Sequence, residues 1–278
     1  MSEANTDSSA PGAGFAALDV ARVRQRLGAG RFGKTIHYFH EIGSTNSYAR
    51  ERAELGAAEG ELVVAESQSH GRGRLGRRWE SPPFANLYVS IILRPKLAPA
   101  HAAQITLMAA VAVAEVVETF VPERPAIKWP NDILIGGKKL AGILTEAACS
   151  AERVEYAILG IGVNLNYAGA AMPEEIRRRA TSVLEVAGHA VHRESFLQRL
   201  IQGIERCYGE LEQAGFDALA ARWESYFSWR GRRVRVELLD QVTAGTAQGI
   251  DRDGALVIVD DGGSARRILA GDVILVEN

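Results

Sequence analysis

The sequence predicts an α+β protein with a large main domain and a small β domain at its C-terminal end. Up to about residue 229, apolar strand-like runs alternate irregularly with long helical patterns, which is typical of a mixed layer fold. From residue 232 onward, short strands alternate with Gly/Asp turns over roughly 45 residues, the pattern of a small β-barrel. We therefore expect a disordered tail with a short helix (1–33), a main domain (34–229) and a barrel (230–278).

Hydrophobic periodicity and turn residues place the elements along the chain. The predicted helices cover residues 15–27, a polar stretch ending near 54, and residues 99–120, 174–186, 193–214 and 216–227. The predicted strands cover residues 36–39, 62–65, 86–93, 133–135, 140–146, 156–163, 234–239, 246–250, 256–259 and 273–276. Ser44, Thr45 or Asn46 is expected to cap the helix that ends near residue 54. Gly136 and Gly137 form the turn of a hairpin.

The composition is that of an ordinary globular protein, with 47% apolar and 24% charged residues. The formal net charge of −2 and the pI near 6.3 disfavour a nonspecific nucleic-acid binder, which usually carries a basic excess. Cys149 and Cys207 have no metal-type spacing, so a reducing cytoplasm is the simplest compartment. Residues 1–14 lack the regions of a signal peptide. The apolar stretch 105–117 contains Glu115 and is too short to span a bilayer, so we expect no membrane association.

A glycine- and arginine-rich loop, residues 71–78, is the strongest local signal. Its glycines match G-x-G-x-x-G, but the loop runs into Trp79, Pro82 and Pro83 instead of opening a helix, which excludes a dinucleotide-binding turn. Glycines let a ligand approach the backbone, and guanidinium groups give paired donors to phosphate or carboxylate. We interpret the loop as an anion clamp, with a solvated basic loop or a weak RNA contact as the alternative.

Residues 128–132 bring a lysine and a carboxylate, Lys128 and Asp132, close together at the entrance to a strand. This pairing suits a site that handles phosphate charge together with a metal ion or an amine. A surface turn with a fortuitous ion pair is the alternative interpretation. The spacing alone leaves both open.

Two further segments have room for a ligand beside a strand. In residues 138–146, Lys138 and Lys139 point to opposite faces, so one of them faces inward, and small residues follow. In residues 160–166, glycines within a strand invite close approach, and Asn164 follows where the apolar run stops. A basic hairpin tip and a plain strand end are the respective alternatives.

Taken together and in this order, the motifs resemble the biotin–protein ligase family. The resemblance runs from about residue 38 to 166 through residues 44–46, Gln68, 71–79, 86–88, 128–132, 139–144 and 162–164. The segment around Trp223 and residues 271–273 resemble the C-terminal part of the family. The resemblance implies a class II synthetase-like, biotin–lipoate ligase fold, in which a mixed sheet with flanking helices forms the catalytic domain and an SH3-like barrel follows.

The resemblance also implies the reaction. Biotin's carboxylate attacks the α-phosphate of ATP to give biotinyl-AMP, and a lysine of a biotin carboxyl carrier protein of acetyl-CoA carboxylase or a related carboxylase then takes the biotin. Such chemistry needs charge stabilisation, Mg²⁺ and exclusion of water. It needs no enzyme nucleophile, in agreement with the absence of a Ser/His/Asp triad signature from the sequence.

Roles follow from the resemblance by position. The residues expected to bind biotin are Ser44, Thr45, Asn46, Gln68, Arg72, Gly73, Arg74, Lys139 and Gly142. Those expected to bind ATP or the adenylate are Arg74, Arg77, Trp79, Asn131, Lys139 and Asn164. Those expected to act in catalysis are Lys139, Arg74, Lys128 and Asp132. No metal ligand is assigned, although Asp132 is a candidate, and Lys138 is expected to face away from the site.

Some members of the family carry an N-terminal helix-turn-helix domain that represses transcription. Here about 35 residues with at most one helix precede the catalytic domain, so we expect the short form without specific DNA binding. A lipoate ligase or related acyltransferase of similar fold is the nearest alternative. A nucleic-acid-binding module using residues 71–78 is the alternative of another class. The sequence leaves open whether the protein forms a homodimer and which carrier it modifies.

Overall fold

The computed structural model of the protein describes residues 15–238 and 241–276, so residues 1–14 of the expected tail lie outside the described part. The described residues form two sheets. The strands of the larger sheet are β1 (Ile36–Ile42), β2 (Leu62–Gln68), β3 (Leu87–Leu93), β4 (Ala126–Lys128), β5 (Asp132–Ile135), β6 (Lys138–Cys149) and β7 (Val154–Val163). The strands of the smaller sheet are β8 (Arg233–Leu238), β9 (Gln241–Ile250), β10 (Leu256–Val259), β11 (Ala265–Ile268) and β12 (Asp272–Leu275).

The larger sheet is mixed, in the order β1-β2-β3-β7-β6-β5-β4. Strands β1 and β2 run parallel, which requires a crossover connection. The first helix of the described chain is α1 (Val20–Leu27), and the second, α2 (Thr45–Glu54), supplies this connection. The other neighbouring strands pair antiparallel, so the predicted mixed sheet with flanking helices is confirmed.

A long apolar helix, α3 (Ala103–Glu118), lies under the sheet and is buried along most of its length. With the preceding turn, the helical run Pro99–Glu118 has 20 residues and a mean hydropathy of 1.6, which by length and composition would suffice to cross a membrane. Residues 105–117, the stretch considered from the sequence, are only part of this longer run. An 18-residue stretch of this run is 67% buried inside the protein. There α3 packs against α6 (Arg193–Ala214), α7 (Asp217–Tyr226) and β6.

The single helix predicted over residues 174–186 is wrong. The chain forms two short helices, α4 (Glu174–Arg177) and α5 (Val183–Ala187). Between them, the carbonyl of Arg179 accepts a hydrogen bond from the Lys139 amide at 2.8 Å, and the Thr181 amide donates to the Lys139 carbonyl at 2.9 Å. The backbone here extends the sheet beside β6 and cannot satisfy helical hydrogen bonds at the same time.

The smaller sheet is antiparallel, in the order β11-β10-β9-β8-β12. It confirms the small C-terminal β domain, although β11, like β4 in the larger sheet, was missed because its residues include two exposed arginines and no alternating apolar pattern. The sheet begins at Arg233, and the boundary between residues 229 and 230 stays a prediction.

Candidate active site

A cavity lies on the larger sheet where β2, β3, β6 and β7 meet the loop 71–78. The predicted site residues that line it are Ser44, Thr45, Asn46, Gln68, Arg72, Gly73, Arg74, Trp79, Asn131, Lys139 and Gly142. Lining residues without a predicted role are Tyr88, Ile143, Leu144, Gly160, Ile161 and Gly162. The segments that the sequence analysis singled out, far apart in the chain, are therefore brought together in one place.

One end of the cavity is a neutral polar cluster at the start of α2. The backbone amide and the hydroxyl of Thr45 donate to Gln68 Oε1 at 2.9 and 3.1 Å. The Ser90 hydroxyl donates to Asn46 Oδ1 at 2.6 Å, and its oxygen lies 2.8 Å from Thr45 Oγ1. Ser90 was missed by sequence reasoning, and the signal for it was a polar residue inside a strand that is otherwise apolar apart from Tyr88. The cluster offers donors and acceptors without formal charge, which suits a neutral polar ring.

The expected capping of α2 takes a different form. Ser44 occupies the N-cap position, but among the described residues its side chain has no capping hydrogen bond, and Thr45 and Asn46 already belong to the helix. Asn46 instead donates through Nδ2 to Glu146 Oε2 at 2.8 Å. Arg72 Nη2 donates to the same oxygen at 2.7 Å. The start of α2 thus contributes side chains to the cavity, and Glu146 links Arg72 of the loop 71–78 to Asn46 of this helix.

The other end of the cavity carries charge. Lys139 Nζ lies 2.7 Å from Asp132 Oδ1 and 5.3 Å from the centre of the Trp79 ring. Asp132 Oδ1 is buried and has no aligned hydrogen bond from any described residue, so the contact is an ion pair rather than a well-formed hydrogen bond. Lys138 is exposed and its Nζ donates to the Arg177 carbonyl at 3.3 Å. The strand register therefore turns Lys139 toward the cavity and Lys138 away.

Arg74, in the glycine-rich loop, makes hydrogen bonds within the catalytic domain and to the C-terminal domain. Its Nη1 donates to Asn131 Oδ1 at 3.2 Å and to the Gly271 carbonyl at 3.3 Å. Burial lowers the pKa of the Arg74 guanidinium, while the nearby carboxylates of Asp132 and Asp272 act in the opposite direction. A desolvated guanidinium next to a cavity is available to an incoming anion.

Asp272, on β12 of the smaller sheet, is a site residue to which sequence reasoning gave no role. Lys128 Nζ donates to its Oδ1 at 3.0 Å, and Arg77 Nη2 donates to its Oδ2 at 2.7 Å. Burial acts to raise the pKa of Asp272, but the hydrogen bonds and charges of Arg77 and Lys128 together hold it below its ordinary value. Neither Arg77 nor Lys128 lines this cavity, and both are bound to the C-terminal domain through Asp272.

Glycines form the floor beneath Trp79. Gly142 and Gly162 face each other across β6 and β7, and a Cβ at either position would lie 2.9 or 2.6 Å from the Trp79 ring. Trp79 Nε1 is buried and finds no hydrogen-bond partner among the described residues. A Cβ at Gly160 would collide with Asn46. Side chains therefore cannot be added to this floor without moving the groups that line the cavity.

Known protein families and solved structures are similar to this chain over most of its length. The Biotin/lipoate A/B protein ligase family matches residues 38–164, and the Biotin protein ligase C terminal domain matches residues 231–276. The Bifunctional ligase/repressor BirA of Bacillus subtilis is 37% identical over 258 residues, covering 93% of this chain and 79% of that protein. The Biotin--[acetyl-CoA-carboxylase] ligase of Mycobacterium tuberculosis is 36% identical, covering 92% of this chain and 95% of that protein.

The chain belongs to the biotin protein ligase family. Among solved structures, the biotin protein ligase from Aquifex aeolicus in complex with biotin and ATP superposes with a TM-score of 0.74 at 29% identity, covering 88% of this chain and 100% of that one.

Asn164 is a predicted nucleotide contact that, like Arg77, does not line the cavity. Its Nδ2 donates to the Thr181 carbonyl at 3.0 Å, and its backbone amide donates to Leu140. Both bonds hold the 178–182 segment and the start of β6 against the end of β7. The structure thus gives Asn164 a supporting position between Thr181 and Leu140, and its contact with a nucleotide stays a prediction.

Proposed function

We propose that the protein activates biotin with ATP, forming biotinyl-AMP and pyrophosphate, and transfers the biotin to a lysine of a carrier protein. The observation that carries the proposal is one cavity that joins a buried neutral polar cluster to a cluster of cations around Lys139. The two ends match the two ends of biotin, an uncharged ureido ring and a carboxylate. The named activity of the M. tuberculosis relative and the biotin and ATP in the Aquifex aeolicus structure support the assignment.

In this proposal the neutral end binds the ureido ring of biotin. Thr45, Asn46, Gln68 and Ser90 are already hydrogen-bonded to one another, so their donors and acceptors are held in place before the ligand enters. Preorganised polar groups bind with a smaller loss of side-chain entropy. The polar cluster thereby fixes the carboxylate of biotin toward Lys139.

At the charged end, an oxygen of the biotin carboxylate attacks the α-phosphorus of ATP, and the bond to the pyrophosphate oxygen breaks. Two anions must approach within bonding distance, so cations close to the reacting oxygens lower the barrier. Lys139 and Arg74 are the cations that line the cavity there, and Asp132 orients Lys139 through their ion pair. The Arg72–Glu146 contact and Trp79 cover the site and exclude water.

In the second step the neutral amine of a carrier lysine attacks the acyl carbon, the bond from that carbon to the phosphate oxygen breaks, and AMP leaves with the bonding electrons. The nitrogen releases one proton to solvent as the amide forms. Lys128 and Asp132 are proposed to orient the phosphate or the incoming amine. The biotin carboxyl carrier protein of acetyl-CoA carboxylase or a related carboxylase is the proposed carrier, supported by the printed name of the M. tuberculosis relative.

Mg²⁺ is proposed to enter with ATP. Among the described residues, no group of three His, Cys, Asp or Glu side chains could hold a metal ion. Mg²⁺ bound to a nucleotide typically takes one or two protein carboxylates and several phosphate oxygens and waters. Asp132 is the candidate for that limited role, and Mg²⁺ there would share its carboxylate with Lys139, whose Nζ lies 2.7 Å from Oδ1. When bound, Mg²⁺ would neutralise phosphate charge.

A cytoplasmic location is proposed because Cys149 and Cys207 are both free thiols, which persist in a reducing compartment. We further propose that this chain makes no specific DNA complex. The described residues 15–35 contain one helix, whereas a helix-turn-helix needs two packed helices. Gel shifts with the biotin operon region of the source genome should show no specific band at physiological salt. A tight sequence-specific complex would contradict the proposal.

The direct test is incubation of the purified protein with ATP, biotin and a biotin-depleted lysate, followed by a streptavidin blot. A labelled carboxylase or carrier band that requires ATP supports the proposal. A parallel assay of pyrophosphate release with biotin and with lipoate separates the two substrate classes of the family. Release with lipoate and not with biotin would overturn the proposed substrate.

A further inference from the structure

Two turns of the C-terminal domain have the same internal hydrogen bonds. In residues 251–255, Asp251 Oδ1 accepts from the amides of Asp253 and Ala255, and the Gly254 amide donates to the Asp251 carbonyl at 2.9 Å. In residues 260–264, the amides of Gly262, Ser264 and Gly263 make the equivalent bonds to Asp260. Both turns use a left-handed glycine, with φ of +88° at Gly254 and +79° at Gly263.

The surroundings of the two turns differ. Gly263 is exposed, and no described atom lies within 4 Å of a Cβ built there. Gly254 is buried, and a Cβ there would lie 2.6 Å from Leu107 Cδ1 of α3. Gln104, also on α3, donates through Nε2 to the Arg252 carbonyl at 2.8 Å. The 251–255 turn therefore packs against the catalytic domain, while the 260–264 turn, with the same internal hydrogen bonds, faces solvent.

The buried turn also contacts Trp129 of the catalytic domain. This side chain is 2% exposed, and its Nε1 donates to the Gly254 carbonyl at 3.0 Å. Because both groups are buried, loss of this bond would leave the Gly254 carbonyl unsatisfied. The bond links the smaller sheet to the middle of the 128–132 loop.

That loop supports the charged end of the cavity. On one side of Trp129, Lys128 pairs with Asp272. On the other, Asn131 accepts from Arg74 and donates through Nδ2 to the Ile143 carbonyl at 2.9 Å. The neutral end of the cavity lies on α2, β2 and β3 and shares none of these bonds among the described residues.

We propose that the 251–255 turn is a positioning element for adenylation, which acts through Trp129 to hold Asn131 and Arg74 where the α-phosphate is attacked. Trp129 and Gly254 are positioning residues, since neither lines the cavity. The inference rests on the proposed function. It predicts that disturbing this turn slows the nucleotide step and spares the binding of biotin alone.

The test compares Gly254→Ala with Gly263→Ala, which place the same methyl group on the same kind of turn. Biotin-dependent pyrophosphate release and the Kd of biotin without ATP are measured well below the melting temperature of each variant. In Gly254→Ala the new methyl group meets Leu107, so the turn must shift and its hydrogen bond from Trp129 is lost. Release should then slow by about tenfold or more, the effect of losing one buried hydrogen bond. Its biotin Kd should stay within about twofold, and Gly263→Ala should match the wild type in both measurements.

Trp129→Phe, which keeps an aromatic ring and removes the N–H, should reproduce the Gly254→Ala result. If either variant fails to fold, Gln104→Met offers a second route, because it removes the bond to the Arg252 carbonyl with little change in volume. Equal slowing in Gly263→Ala, unchanged release in Gly254→Ala, or a parallel loss of biotin affinity would overturn the inference. Absence of biotin-dependent release in the wild type would instead overturn the proposed function.

Discussion

The two ends of the cavity are built in different ways. The neutral end consists of Thr45, Asn46, Gln68 and Ser90, joined by short hydrogen bonds within the catalytic domain. The charged end holds its lysines in ion pairs, and one of the carboxylates, Asp272, comes from the C-terminal domain. Uncharged groups fixed by hydrogen bonds can bind a ligand without rearrangement, whereas ion-paired groups must exchange partners when a triphosphate arrives. We therefore expect binding defects from changes at the neutral end and rate defects from changes at the charged end.

The largest effect is expected for Lys139→Ala. Removing a preorganised cation from the reacting oxygens should slow adenylation by about 10²–10³-fold. Pyrophosphate release with biotin and ATP, without a carrier, measures this step. Lys138→Ala is the matched control on the same strand, and it should have little effect because the side chain is exposed and screened by solvent. A normal rate in Lys139→Ala together with a slow rate in Lys138→Ala would contradict the proposed facing of the strand.

The next largest effect is expected at the neutral end. Ser90→Ala leaves the buried Asn46 Oδ1 without a hydrogen-bond donor among the described residues. The Asn46 side chain is then no longer held in place before biotin enters, so its ordering must be supplied on binding. A cost of about 1–3 kcal/mol at that step corresponds to a biotin Kd weakened by roughly 5–150-fold. Isothermal titration with biotin alone tests this, and the pyrophosphate release rate at saturating biotin should stay near that of the wild type. An unchanged Kd would show that Ser90 takes no part in biotin binding.

A smaller change is expected from the glycine floor. In Gly162→Ala the new methyl group would meet the Trp79 ring, and overpacking of this kind costs about 1–3 kcal/mol. Chemical denaturation should show the loss, together with a change in tryptophan fluorescence. Gly209→Ala on α6 is the control, since no described atom lies within 4 Å of its Cβ, and there alanine should stabilise the helix by about 0.5–1 kcal/mol. Equal stability of Gly162→Ala and wild type would mean that Trp79 does not rest on this floor in solution.

The smallest effect concerns pH. The pKa of Asp272 is lower in the folded protein than its ordinary value, so its charged form stabilises the folded state. That stabilisation is fully present above the ordinary aspartate pKa near 4 and is lost as the pH falls through the lowered folded pKa. The stability difference between wild type and Asp272→Asn should thus be constant at neutral pH and vanish in acid. A difference that grew on acidification would have the wrong sign for this ion pair.

Much of the fold could be predicted because its elements have strong periodicity. The bounds 193–214 predicted for α6 agree with the structure, as do the hairpin of β5 and β6 and most strands of the smaller sheet. The 174–186 segment could not be predicted, because its central residues hydrogen-bond to Lys139 in preference to their own helix. That choice depends on a tertiary neighbour, which local periodicity does not record.

The candidate site could be predicted only in part, because some of its residues depend on partners far away in the chain. Motif residues whose chemistry is unusual for their position, such as Lys139 and Arg74, were found directly and line the cavity. Ser90 and Asp272 were not assigned, since each depends on partners about 45 and 144 residues away, Thr45 and Lys128. The roles of all these residues stay predictions until variants are measured.

The division of labour between the two ends can be tested in one paired experiment. Ser90→Ala and Lys139→Ala are each measured for the Kd of biotin without ATP and for single-turnover pyrophosphate release at saturating biotin and ATP. Ser90→Ala should weaken binding and retain the rate. Lys139→Ala should lose the rate and weaken binding at most about fivefold, since a partly exposed ion contributes about 1 kcal/mol or less. If both variants lose affinity and rate in the same proportion, the two ends act as one unit and the account is contradicted.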